Sequence, residues 1–389
     1  MAYYSIFPEK DATIYSHPDR IGLNTGRDEV LELIEEKDSK KEIYYPSRFL
    51  IKFKNTEIKD VIENKLTGAA KEVNTTNVKV CLEVFSTEHK ALHANHIIQV
   101  HAISQSWDEG TGRFKNNPSS SNGCTWEMRT DTGSSARAIW TTSSFASNST
   151  GSSCEFMTSG GGTWWTGATY VAETSFSNAD NLDLNVDVTN FIKYFSASYY
   201  QGATYPTGIE NEGFIIKKPD ATECDASASF GELQYFSVDT HTIYPPKLTF
   251  KWDDSSYTTG SDVTLLNSGD IFLSLYNNQD EYQRKSKQRF RLTSRKRYPD
   301  RAFVTSSNFL NVQYLPSTSY YSLRDATTDE IIIPFDTEYT KLSADSDGMY
   351  FDLHMEGLQP ERYYKLQFRV DNNDGINIYD EDYYFKVVR

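Results

Sequence analysis

The stretch Ser106-Trp107-Asp108-Glu109-Gly110-Thr111-Gly112-Arg113-Phe114-Lys115-Asn116-Asn117-Pro118 divides two kinds of sequence. Before it, Ile98, Val100 and Ala102 alternate with Gln99 and His101, the period-two pattern of a strand. After it, from about 119 to 178, runs a Ser-, Thr- and Gly-rich excursion containing Gly160-Gly161-Gly162 and four tryptophans, Trp126, Trp140, Trp164 and Trp165. A flexible linker has no use for four indoles. Three readings stay open for them: stacking on sugar rings, burial against a partner chain, or folding back over the protein's own sheet.

Outward from this point the alternation recurs. Phe49, Ile51 and Phe53 share one strand face with Arg48 and Lys52 on the other; Val78, Val80, Leu82 and Val84 repeat it, as do Leu182, Leu184, Val186 and Val188. Ala12 to Tyr15, Val30 to Ile34, Gly213 to Lys217 and Lys247 to Trp252 add short strands. Asp187-Val188-Thr189-Asn190 predicts the cap of a short helix with Phe191, Ile192 and Phe195 on its apolar face. Asp253 to Gly260 reads as a linker. Strands follow at Ile271 to Tyr276, Arg289 to Thr293, Tyr350 to Met355, Lys365 to Val370 and Tyr383 to Val388.

Composition agrees with an all-β chain. Aromatics make up 14% of 389 residues, and Tyr and Phe suit half-buried pleated surfaces. The length predicts two domains, 1–255 and 260–389, the first carrying the 119–178 insertion. A formal charge of −15 disfavours nucleic acid as a partner. The sequence has no apolar N-terminal leader and no membrane-spanning apolar run, which predicts cytoplasmic synthesis without a signal peptide and no membrane partner. Cys81, Cys124, Cys154 and Cys224 form no CxxC pair and read as reduced, mostly buried thiols.

Several patterns resemble known families. Lys10-Asp11-Ala12-Thr13-Ile14-Tyr15-Ser16, Arg48 to Phe53, Trp107-Asp108-Glu109-Gly110-Thr111 leading to Asn116-Asn117-Pro118, Asp187-Val188-Thr189, Gly213 to Ile216 and Pro246 to Phe250 occur in order. Together they resemble the DNRLRE-type β-sandwich, a family related to some carbohydrate-binding modules, although the string that names it is absent. Leu358, Pro360 and Tyr364 before an alternating strand resemble the corner of fibronectin type III and immunoglobulin-like domains, which implies a Tyr364 hydroxyl bonded to nearby backbone. The chain as a whole, most strongly from Tyr314-Leu315-Pro316 through Pro334-Phe335-Asp336 to Tyr364, resembles virion structural proteins of T4-like marine phages. The fold class expected is therefore two linked β-sandwich domains, jelly-roll-like then Ig-like. The resemblance implies a place in the virion, in the neck, tail, baseplate or fibre region, with other virion proteins and copies of the chain itself as partners. A carbohydrate-binding module reading a host-surface glycan is the alternative, and a polysaccharide depolymerase a third.

No catalytic residue, cofactor site or metal site is expected. His89, His93, His96 and His101 crowd together but lack Cys or carboxylate ligands at zinc spacing, in a segment that reads as a hairpin feeding a strand. Asp371-Asn372-Asn373-Asp374-Gly375 fails the calcium-loop pattern and reads as a hairpin turn. Asp108 and Glu109 are adjacent and make no glycosidase pair by themselves. The remaining feature is basic: Arg and Lys crowd the interval from Arg284 to Arg301, and Arg295, Arg297 and Arg301 are the candidate electrostatic contacts to an acidic partner surface.

Overall fold

A computed structural model describes residues 2–38, 43–74, 76–90, 92–116, 120–132, 137–140, 160–197, 208–223, 231–259, 264–267, 270–276, 278–299 and 312–389. Arg301, Asn117, Pro118, Cys154 and Cys224 lie outside the described residues. The protein is all-β, with two compact sheet-built units. The larger comprises Ile6–Lys65 and Glu72–Thr249; the smaller comprises Met1–Ser5, Leu66–Lys71 and Phe250–Arg389.

In the larger unit the main sheet runs in the spatial order Val171–Ser177, Asn95–Ala102, Phe214–Lys217, Ile43–Lys52, Val30–Asp38, Gly231–Phe236, Ser86–Lys90, with Lys10–Tyr15 also on Ile43–Lys52. The central strand, Ile43–Lys52, has alternate residues on opposite faces. Phe49 and Ile51 lie on one face with Ile216 and Phe214 beside them; Arg48 and Leu50 lie on the other beside Ile14, Ala12 and Ile215. A sandwich with one wet face would leave the second set exposed. Instead Arg48, Leu50, Ala12, Ile14 and Ile215 are all fully buried. The predicted helix is present as Thr189–Ala197, with the Asp187 carboxylate accepting from the Thr189 backbone N–H at 2.9 Å.

Two parts of the reading from sequence need correction. Ser86–Lys90 and Asn95–Ala102 do not form a hairpin: the first pairs with Gly231–Phe236 and the second with Phe214–Lys217 and Val171–Ser177, toward opposite ends of the sheet. Adjacent strands usually pair, but here each is claimed by a distant segment. Val171–Ser177, read as part of the excursion, is itself a strand of the main sheet, in register from Val171 opposite His101 to Ser177 opposite Asn95. Its Ser- and Thr-rich composition hid the pairing.

The smaller unit packs two sheets face to face. One holds Ile271–Tyr276, Lys287–Lys296, Gly348–His354 and Ser343–Asp345; the other holds Gly375–Val388, Arg362–Asn372, Ser319–Asp325 and Ile331–Ile333. Between them Phe351 stacks on Phe290 at 5.1 Å and on Tyr321 at 4.4 Å, with Phe368 and Phe385 completing the aromatic core. Asn372 pairs with Gly375, so Asn373-Asp374 is a two-residue hairpin turn and not a calcium loop.

Leu358 and Tyr364 are buried at the corner that precedes strand Arg362–Asn372. The Tyr364 hydroxyl donates to the Gln359 carbonyl at 2.8 Å, just before Pro360. Burial pushes the phenol well above its ordinary range, so it stays a donor at any working pH. Tyr364→Phe leaves the Gln359 carbonyl without this partner, and thermal melting of the full chain should show a loss of about 1 kcal/mol. An unchanged melt would mean that the corner contributes nothing to stability.

Candidate functional site

The covered face of the large sheet is where charge concentrates in the interior. Arg48 and Lys217 project from neighbouring strands, and both side chains are fully buried. A lone buried guanidinium is prohibitive in free energy, so the fold must supply an anion and further acceptors. Glu223, at the end of the single-turn helix Asp220–Glu223, provides the anion. Its two carboxylate oxygens accept from Arg48 Nε at 2.9 Å and Nη2 at 2.6 Å, a bidentate fork. Arg48 Nη1 donates to the Gly161 carbonyl at 2.6 Å. The guanidinium also lies 4.9 Å from the Trp126 ring and 5.1 Å from the Trp164 ring.

Lys217 Nζ donates to the Lys218 carbonyl and to Asp220 Oδ1, each at 2.6 Å, and sits 3.4 Å from Glu223 Oε2. Lys218, on the next position, reaches Glu35 at 3.1 Å. Burial lowers the Lys218 pKa, and Glu35 opposes that shift.

The tryptophans of the excursion roof this network. Trp126, Trp140 and Trp164 are buried with Trp107, Cys124 and Ile103 against Ala12, Ile14, Leu50 and Ile215. Read as candidate partner or glycan contacts, these three indoles present no face to a ligand, because each is buried in the cluster that covers the sheet. Trp165 alone is half-exposed, with Tyr170 6.0 Å away and Tyr194 5.1 Å beyond. Gly161 has a φ of +78°, and a Cβ there would meet Arg48 Nη1 and the Trp126 ring at 2.7 Å. The triple glycine is a close-approach element beneath the roof and not a spacer.

The opening stretch, Ser106 onward, anchors the other end of the roof. Trp107 Nε1 donates to the Glu212 carbonyl at 2.9 Å, and the Lys10 ammonium, which also bonds the Trp107 carbonyl, lies 4.3 Å over its ring. Buried Asn24 clamps the turn from one side: Nδ2 donates to the carbonyls of Glu109 at 2.7 Å and Cys124 at 2.8 Å, and Oδ1 accepts from Gly112 N–H. Gly110 has a φ of +84°, with no room for a side chain against the Asn122 carbonyl at 2.2 Å. Asn24 carried no signal in the sequence, because its partners lie about a hundred residues away.

Chemically, this arrangement holds charges in fixed pairs, with no accessible nucleophile beside them among the described residues. Asp108 lies in the loop with its backbone bonded to Arg129, while the Glu109 carboxylate sits 3.3 Å from Arg27 and is raised by burial. Of the crowded histidines, His93 and His96 meet edge to face at 6.5 Å, while His101 lies elsewhere against Trp164. His96 also stacks on Phe176, and no cluster of three metal-ligating side chains occurs among the described residues.

The smaller unit divides the basic cluster in two. Arg289 forks onto Asp352 at 2.8 and 3.0 Å and Arg291 onto Asp345 at 2.9 and 2.8 Å, so these charges are already used within the chain. Arg295 lies over the Phe272 ring at 4.7 Å, and Arg297 is exposed. Neither makes an ion pair with a described carboxylate.

No family model and no curated protein matches the chain. Among solved structures, a DUF4785 family protein from Legionella pneumophila aligns at 9% identity over 98% of this chain, with a TM-score of 0.18. The chain spans 66% of the length of that protein. At that score the likeness carries no argument.

Two measurements test the buried network. Arg48→Met removes the bidentate partner of the buried Glu223 carboxylate and should cost about 3–5 kcal/mol in denaturant melts, whereas Arg48→Met with Glu223→Leu should recover most of that loss. A double variant as unstable as the single one would show that the pair acts through something other than desolvation. The second test uses pH. Burial, aided by Lys218 at His96 and Lys217 at His101, lowers both imidazoles from 6.5 to about 4. The unfolded chain therefore takes up protons first, so stability held above pH 6.5 falls as pH drops toward 4. Asp11, Glu32 and Glu109, raised by burial, act with opposite sign above their ordinary carboxyl range, and the variant isolates the histidine component. His101→Gln should flatten the dependence of stability on pH in this window by up to about one proton.

Proposed function

We propose that the chain is a non-enzymatic structural component of a phage virion, in the neck, tail, baseplate or fibre region, working through protein–protein contacts in a multi-copy assembly. The observation that carries this reading is the pair Arg295 and Arg297. They stand on the surface of a chain of net charge −15 without a carboxylate partner among the described residues, while Arg289 and Arg291 two turns of the pleat away are fully paired. Arginine at the surface, with no carboxylate on its planar fork among the described residues, suits a carboxylate-bearing protein surface. Copies of an acidic chain brought within a Debye length, about 8 Å at physiological salt, repel one another, and such arginines offset that repulsion. The resemblance over Tyr314 to Tyr364 supports the same assignment.

The alternative, binding of a host-surface glycan, draws support from the half-exposed ladder of Trp165, Tyr170 and Tyr194, since aromatic faces stack on sugar rings. Replacing Arg295 and Arg297 together by Glu should slow or prevent incorporation into particles while the purified variant melts as wild type. Incorporation at the wild-type rate across a salt series would remove the basic pair from the assembly. Saturable glycan-array binding by the purified chain, lost in Trp165→Ala, would decide for the alternative.

A further inference from the structure

One side of the smaller unit consists of two open strand edges. Among the described residues Ile271–Tyr276 pairs only with Lys287–Lys296, and its other edge meets no strand. Gly375–Val388 pairs along its length with Arg362–Asn372, but among the described residues only Lys386 to Val388 meet a strand on its outer edge, the short segment Glu281–Gln283. The two edges lie side by side, since the Tyr383 hydroxyl reaches the Leu273 carbonyl at 3.4 Å. Ile376 and Ile378 on this side are 62% and 60% exposed and Tyr276 is 62% exposed. A long apolar open edge is a template for strand addition, and soluble proteins normally blunt one that has no partner.

The charges on this side select the partner. Asp380-Glu381-Asp382 stands on Gly375–Val388; Lys365 holds Asp380 at 2.8 Å and Asp382 at 3.1 Å, while Glu381 is exposed and makes no ion pair among the described residues. Arg297 bonds through its backbone to Asp270 at 2.8 Å. The charges of Asp270 and Arg297 both act on Tyr379, the residue before Asp380, with opposite signs. Arg297 and Glu381 therefore present opposite charges on one unit without an ion pair between them among the described residues. A surface bearing both signs is self-complementary under a two-fold axis, which is what an isologous contact requires.

The acidic triplet also fixes which edges can meet. Pairing Gly375–Val388 with its own copy about the centre of its free edge sets carboxylate against carboxylate, a destabilising cross-strand arrangement. Pairing it with Ile271–Tyr276 of the other copy meets no charge on that strand, and brings Arg295, seated on Phe272, toward the triplet.

We propose that this side of the smaller unit docks onto the same side of a second copy of the chain, with strand Gly375–Val388 of each against Ile271–Tyr276 of the other and Arg295 and Arg297 of each facing Asp380 to Asp382 of the other. The proposal rests on the assembly reading above and names the partner of its basic pair.

Sedimentation velocity on the purified full chain, over a concentration series at low and physiological salt, tests it. The wild type should form dimers that weaken as salt rises. Arg295→Glu with Arg297→Glu, and separately Glu381→Lys, should each weaken self-association at least tenfold while melting as wild type. Mixing these two variants should restore dimers, because in the mixed pair each Glu at 295 and 297 faces a Lys at 381 and the other contact keeps its native charges. Ile376→Lys with Ile378→Lys should abolish dimers in a way that no charge-reversed partner restores. Should Arg295→Glu disturb the fold through Phe272, Arg297→Glu alone replaces it in the mixing experiment. A wild-type chain that stays monomeric throughout, or variants that associate as well as wild type, would overturn the proposal. Monomeric behaviour leaves the assembly reading to the incorporation assay, and failed incorporation with intact dimers would sink that reading alone.

Discussion

The larger unit depends on one desolvated ion pair. Arg48 and Glu223 are both withdrawn from water, and their attraction compensates for lost hydration only if every remaining donor is met. That requirement explains features far apart in sequence. Gly161 must present its carbonyl from a left-handed backbone, two indoles must close over the guanidinium, and Asp220–Glu223 must hold its carboxylate in the plane of the fork. Each of these is weak by itself. Jointly they fix how the roof sits on the sheet, because displacing any of them leaves a buried charge partly unmatched.

The roof in turn changes what the large sheet is. An exposed outer face would have made the strands a platform for a ligand, with Trp126, Trp140 and Trp164 as the obvious stacking surface. Their burial turns the same residues into core and leaves Trp165 at the margin. In the smaller unit the two sheets bury their aromatic residues between them, and no described strand adds to the outer edge of Ile271–Tyr276.

Much of this was legible from residues alone. Period-two alternation located the central strands, because a strand between a core and anything else must separate its two faces. The cap before Phe191 and the turn at Asn373-Asp374 were equally plain, since each is a local hydrogen-bonding or dihedral requirement met by neighbouring residues. The corner at Tyr364 belongs with them: donor and acceptor are five residues apart.

What the sequence determined by itself was therefore the all-β class, most strand positions and the local turns, all set by interactions within a few residues. Tertiary structure alone decided that Arg48 is interior, that the tryptophan-rich excursion is a roof, that Ser86–Lys90 and Asn95–Ala102 part company, and that Arg289 and Arg291 are paired while Arg295 and Arg297 are not. The physical reason is common to all four. A charge, an indole or a strand edge is satisfied by whatever partner the fold brings to it. Glu223 lies 175 residues from Arg48 and Asp352 lies 63 from Arg289, separations at which sequence carries no record of the contact.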